Sequence, residues 1–204
     1  MLQTQTVSPE LLELLKQIMK SEFFSDFILV GGTALALQIG HRDSIDIDMF
    51  GNCLIDEDAF IDELKQFGKV IKLQKTKNIL ILSLNNIKVD FVNYRYPLLE
   101  DFKTIDGIRL ASTKDIAAMK LNAISGRGSK KDFIDLFFLL NEFSLEQMMT
   151  FYNEKYQDGS YFMVMKSLTY FDDAEYQDSP EIFKKFDWEN CKQKIIREYL
   201  KLNL

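Results

Sequence analysis

The stretch Ser44-Ile45-Asp46-Ile47-Asp48-Met49-Phe50 decides how this chain is read. Polar and apolar side chains alternate in it as they do in a strand, where residues two apart share a face. Ile45, Ile47 and Met49 are therefore expected in the core, and Ser44, Asp46 and Asp48 point together the other way. Neighbouring carboxylates repel each other unless a positive group neutralises them. The simplest neutraliser is a hard divalent cation, and Mg²⁺ takes such oxygen ligands together with water and substrate phosphates. The competing reading is a solvated acidic strand face.

Upstream, Phe27-Ile28-Leu29-Val30 reads as a short apolar strand running into Gly31-Gly32, with a helix over 33–39 that Gly40 can end. Glycines at a strand–helix junction let a phosphate approach the backbone, and the N–H groups of a first helical turn suit an anion. Thr33 adds a hydroxyl, and Ser44 joins it on the nucleotide side. Tight packing of strand on helix would explain the glycines as well. Neither GxxxxGK[ST] nor GxGxxG is present, so this is neither a P-loop nor a dinucleotide fingerprint. Arg42 leads into the acidic strand, either as a phosphate contact or as a salt-bridge partner. His41 is the single histidine, which excludes multi-histidine zinc centres.

Downstream, Asp56 or Asp58 can cap a helix ending near Gly68, and 70–73, 79–84 and 87–93 are β-rich runs. Asn85-Asn86 separates the last two as a hairpin turn. Within Ile87-Lys88-Val89-Asp90-Phe91-Val92, Val89 and Phe91 face away from Asp90. Asp90 is then either a third carboxylate for a second cation or a surface acid. A short extended piece ends at Leu110, after Asp106-Gly107.

A first helix over 8–20, capped by Ser8 with Pro9 in its first turn, precedes all of this. Beyond 111 the period becomes helical. Ser112 with Asp115 makes a capping box for a helix through 124, and helices follow over 129–140, 144–156, 160–170 and 189–202. The expected architecture is α/β (α+β), a mixed sheet flanked by helices and followed by a mainly helical portion. Residues 1–110 would form the α/β core, and 111–204 the helical portion completing a nucleotide and acceptor cleft. Lys120, with apolar residues one turn to either side, could lay its stem along a core–cleft boundary and reach phosphate. Lys131 and Asp132 are supporting candidates, with ordinary ion pairing as the alternative for each charge.

Forty-seven per cent of the 204 residues are hydrophobic, enough for a substantial core. The net charge of −6 argues against an extended DNA-binding surface. No signal-peptide pattern and no long apolar run are visible, so a cytoplasmic protein without a membrane partner is expected. Cys53 and Cys191 read as buried or half-buried free thiols.

Gly31-Gly32-Thr33-Ala34-Leu35 followed by His41-Arg42-Asp43-Ser44-Ile45-Asp46-Ile47-Asp48-Met49-Phe50 resembles the first signature of the AbiEii/AbiGii toxin-type nucleotidyltransferases. These belong to the polymerase-beta-like nucleotidyltransferase superfamily. Ile87-Lys88-Val89-Asp90 is similar to the strand bearing the third carboxylate. Lys120-Leu121-Asn122-Ala123-Ile124, Arg127 and Lys131-Asp132-Phe133-Ile134-Asp135-Leu136 are similar to the later basic and acidic signature. Leu168-Thr169-Tyr170-Phe171-Asp172-Asp173-Ala174-Glu175 resembles a segment of compact members, and the whole likeness runs from about residue 25 to 195. The resemblance implies catalytic metal, one or two Mg²⁺, on Asp46, Asp48 and Asp90. It also implies an NTP substrate held by Gly31, Gly32 and Thr33 and approached by Lys120, with an acidic position at Asp132. By the same resemblance, NMP would pass to RNA or tRNA in a toxin or antiphage role, with a cognate antitoxin. A small-molecule acceptor, or an inactive binding member, is the alternative.

Overall fold

The computed structural model describes residues 1–202. The chain forms two compact units. One comprises Met1–Tyr96 and Phe102–Ala111; the other comprises Pro97–Asp101 and the residues from Ser112 onward.

The first unit opens with α1 (Pro9–Lys20), whose N-terminus is capped by Ser8 Oγ accepting from the Leu11 amide at 3.1 Å. Leu11, Leu14, Leu15, Ile18 and Met19 form its buried stripe. Next come β1 (Ile28–Leu29), α2 (Gly31–Ile39), β2 (Asp46–Gly51) and α3 (Glu57–Leu64). Gly40 ends α2 in the left-handed conformation, with φ 66°. The helix expected to run to 67 tightens after Leu64 into a 3-10 turn over Lys65–Phe67. The remaining strands are β3 (Val70–Lys75), β4 (Ile79–Leu84), β5 (Ile87–Asn93), β6 (Lys103–Ile105) and β7 (Ile108–Leu110). Asn85 and Asn86 turn the β4–β5 hairpin with positive φ at both positions, 52° and 67°. The three residues of β6 have little burial and too short a pattern to stand out in the sequence.

These strands form one sheet in the order β3-β4-β5-β2-β1-β7-β6. It is mixed: β2–β5 and β1–β7 are parallel, and the other neighbours are antiparallel. Ile47, Met49, Val89 and Phe91 are fully buried on one face. The Phe91 ring stacks on Phe24 at 4.9 Å and meets Phe27 and Phe60 edge-on at 5.2 and 5.3 Å. This aromatic cluster fixes which side of β2 and β5 is core, and so which side carries the acids. Ile45, expected in the core, is 61% exposed. Strand β2 begins only at Asp46, where pairing with Lys88 starts, so the alternation that buries Ile47 does not extend back to Ile45.

The second unit is helical: α4 (Thr113–Gly126), α5 (Lys130–Leu139), α6 (Leu145–Lys155), α7 (Tyr161–Ser167), α8 (Asp172–Glu175) and α9 (Trp188–Lys201). Ser112 caps α4 as expected, its Oγ accepting from the Asp115 amide at 3.0 Å. The fully buried Asp115 carboxylate accepts from the Ser112 hydroxyl at 2.8 Å, and also from the Leu99 and Glu100 amides at 2.9 and 3.2 Å and from Lys155 Nζ at 2.7 Å. Lys155 also donates to the Pro97 carbonyl at 2.7 Å, tying 97–101 into this unit. Cys191 is buried, its thiol pushed up to about 12 by burial, while Cys53 is half-buried. Among the described residues, no helix is long and apolar enough to cross a membrane.

Candidate functional site

Three acids share the solvent-side face of β2 and β5. Asp46 and Asp48 occupy the half-buried positions of β2, alternating with Ile47 and Met49. In the parallel β2–β5 register, Asp48 lies directly opposite Asp90, and Asp46 opposite Lys88. Cross-strand partners project on the same side of a sheet, so the three carboxylates and the Lys88 ammonium crowd one patch.

The chain entering α2 supports that patch from below. The Val30 amide donates to the Asp48 carbonyl at 2.9 Å and places Gly31 against the Asp48 side chain. Gly31 has φ 69°, and a Cβ there would lie 2.5 Å from Asp48 Oδ2. The left-handed backbone favours glycine, and a Cβ would displace the Asp48 carboxylate. Gly32 and Thr33 complete the first turn of α2, whose N-cap, Val30, supplies no side-chain hydrogen bond. Thr33 is buried; its hydroxyl lies 2.8 Å from Ser44 Oγ and donates to the Asp46 carbonyl. Thr33 and Ser44 therefore brace the first acidic residue. Arg42 lies in the interior, with 3% exposure, and donates to the Asp43 carbonyl at 2.7 Å.

Lys88 is the residue that a reading of the acids alone overlooks. Its Nζ lies 2.6 Å from Asp90 Oδ2. It stands two residues before Asp90 on the same strand, so strand alternation alone was enough to find it. The other Asp90 oxygen, Oδ1, is buried without a hydrogen-bond partner. Among the described residues, no group of three or more His, Cys, Asp or Glu side chains stands ready to hold a metal ion. The donor chemistry still suits a hard cation: the three acidic side chains offer only oxygen, and one buried carboxylate oxygen lacks the partner such a group requires.

The later candidates belong to the helical unit. Lys120 is 4% exposed, and its Nζ lies 3.1 Å from Asp132 Oδ1 and 2.6 Å from Asp135 Oδ2, both acids fully buried. Arg127 donates through Nε and Nη2 to Asp132 at 2.8 and 3.0 Å. Burial pushes the Asp132 carboxyl up, but the Lys120 charge and the bonds from Arg127 and Ser129 outweigh it and hold the group at about 2. Asp132 also closes a capping box with Ser129 at the start of α5. Lys131 is exposed on the same helix.

Residues 13–104 match the family model described as Nucleotidyl transferase AbiEii toxin, Type IV TA system. The uncharacterized protein aq_aa25 of Aquifex aeolicus is 38% identical over 199 residues, covering 92% of this chain and 95% of that one. The crystal structure of JHP933 from Helicobacter pylori superposes with a TM-score of 0.60 at 16% identity, over 95% of this chain and 88% of that one. A second H. pylori crystal structure, described as that of a candidate nucleotidyltransferase, has the same TM-score and identity and is covered to 91%. At such identity the two structures speak for the fold. The chain belongs to one family with the Aquifex protein, is related to AbiEii-type proteins over residues 13–104, and shares its fold with the two H. pylori structures.

Proposed function

We propose that the chain is a Mg²⁺-dependent nucleotidyltransferase that moves NMP from an NTP to an acceptor hydroxyl. The observation that carries this reading is the cross-strand pair Asp48–Asp90, with Asp46 beside it and the Gly31 backbone directly under the Asp48 carboxylate. Asp46 and Asp48 would hold a cation on the triphosphate side, and Asp90 would contribute to a second. Cations bound there would offset charge on the phosphates and acidify the attacking hydroxyl. The first-turn amides of α2 would receive phosphate oxygens, as helix N-termini do. Asp90 would orient the acceptor hydroxyl. The hydroxyl would lose its proton to solvent as its oxygen attacks the α-phosphorus, forming the new phosphodiester and breaking the bond to the β-phosphate, which leaves as pyrophosphate.

The acceptor we favour is RNA, including tRNA, at an exposed 3′ hydroxyl, in a toxin role restrained by a cognate antitoxin. The AbiEii match over residues 13–104 supports that context. A second reading, a member that binds nucleotide without transferring it, is favoured by the Lys88 ammonium on Asp90. Incubation with each α-labelled NTP, Mg²⁺, cellular RNA and a pool of small metabolites separates these readings. Label in RNA, abolished in Asp46→Asn, is the expected result. Label in a small metabolite alone would replace the acceptor, and no transfer to any acceptor would leave the binding-only reading.

A further inference from the structure

Past the carboxylates, the same sheet face continues into aromatic rings. Phe50 follows Asp48 by two residues on β2, and Tyr94 follows Asp90 by four. The Tyr94 amide donates to the Gly51 carbonyl at 2.7 Å, carrying the β2–β5 ladder one step beyond Asn93. Strand alternation therefore puts both rings on the acid side. Their centroids are 4.7 Å apart with the planes tilted by 46°, and Tyr96 meets Tyr94 edge-on at 5.3 Å. The Arg95 guanidinium lies 4.9 Å over the Tyr96 ring. Phe50, Tyr94 and Tyr96 are half-buried and Arg95 is exposed, whereas Phe24, Phe27, Phe60 and Phe91 on the opposite face are buried.

Register places this row on a definite side of the acids. Strand β1 runs antiparallel to β2, with Ile28 opposite Phe50 and Leu29 opposite Met49. The chain thus moves away from Phe50 as it approaches Gly31, and α2 begins at the Asp46 end of β2. The phosphate-binding turn and the rings lie on opposite sides of the carboxylates. At about 3.3 Å per residue, Phe50 is roughly 7 Å along the strand from Asp48, a spacing suited to a base whose sugar reaches the acids.

We propose that Phe50, Tyr94 and Tyr96, with Arg95, form a stacking platform for the 3′-terminal base of a single-stranded RNA acceptor. This rests on the nucleotidyl-transfer reading and supplies its acceptor class. Stacking on aromatic rings accepts any base, and an exposed arginine adds charge for the strand's phosphates. A sugar-like or amine acceptor without a π face gains nothing from such a row.

The probe is a short RNA carrying 2-aminopurine as its 3′-terminal base, whose fluorescence falls on stacking, mixed with the full chain in the absence of NTP. Wild type should quench it. Phe50→Leu and Tyr96→Leu should bind about tenfold more weakly, and Tyr96→Phe, which keeps the ring, should bind as wild type does. Thermal melting of each variant confirms that loss of binding is not loss of fold. No quenching by wild type, equal quenching by the leucine variants, or quenching of 2-aminopurine riboside triphosphate but not of the RNA would overturn the platform. If label goes to a small acceptor with unchanged kinetics in the leucine variants, the platform falls and nucleotidyl transfer stands. Ring-dependent quenching by a protein that transfers no nucleotide would sustain the platform and remove the activity.

Discussion

Gly31 couples the backbone of one element to the carboxylate of another. Alanine there would meet a twofold penalty: a left-handed backbone costing about 1–2 kcal/mol, and a methyl group 2.5 Å from Asp48 Oδ2. The contact is relieved by moving the carboxylate, so function should suffer more than the fold. Gly31→Ala is expected to lower stability by about 1–2 kcal/mol, and transfer by at least about thirtyfold, equivalent to about 2 kcal/mol of transition-state stabilisation. Denaturant melts alongside label transfer check both, and full activity in a destabilised variant would contradict the coupling. Lys88 calls for the opposite kind of prediction. Its pair with Asp90 is half-exposed and worth under about 1 kcal/mol, yet it competes for a carboxylate that a cation would use. Lys88→Met should bind Mn²⁺ about threefold more tightly in a titration, and weaker binding would show that the lysine assists the cation. At this scale, the common face of Asp46 and Asp48, and the turning of Asp90 away from Val89 and Phe91, were legible from alternation alone. Lys88 was equally legible but resembles any solvated strand lysine. The exposure of Ile45 was not legible, because the point where β2 begins is set by pairing with a strand some forty residues later.

Among the elements, α4 and α5 carry the clearest dependence on acidity. Asp132 sits at about 2 in the folded protein, below the ordinary value of 3.8. A depressed carboxyl stabilises the fold fully above its unfolded value, near pH 4, and that contribution is lost as pH falls through about 2. Its size is about 2 kcal/mol, from 1.36 kcal/mol per unit. The difference in unfolding free energy between wild type and Asp132→Asn should therefore shrink by that amount between pH 5 and pH 2. A difference that does not change with pH would show that Lys120 and Arg127 do not act on the charged form. Helix positions were readable because caps and periodicity are local, as with Ser8 before α1, Ser112 before α4 and Gly40 after α2. The burial of Lys120 between Asp132 and Asp135 was less so. A lysine three and four residues from apolar neighbours has the same pattern whether its ammonium reaches solvent or a buried acid.

For the molecule as a whole, the change from sheet to helix was plain in the sequence, and the mixed sheet flanked by helices follows from strand runs interleaved with helical ones. What joined distant segments was not. Residues 97–101 belong with the helical unit because Asp115 and Lys155 hold their backbone, a linkage between positions up to about sixty residues apart that leaves no periodic trace. Strand order is similar: β5 lies beside β2 although β3 and β4 intervene in the chain. That crossover brings Asp90 opposite Asp48, and the proposed chemistry depends on it. Mn²⁺ binding in the presence of a non-hydrolysable NTP, followed by electron paramagnetic resonance, tests the claim most directly. Wild type is predicted to bind the ion, and Asp48→Asn and Asp90→Asn, each correctly folded, to lose at least about tenfold in affinity, or ~1.4 kcal/mol. Equal binding by all three proteins would contradict a shared cation site on this face.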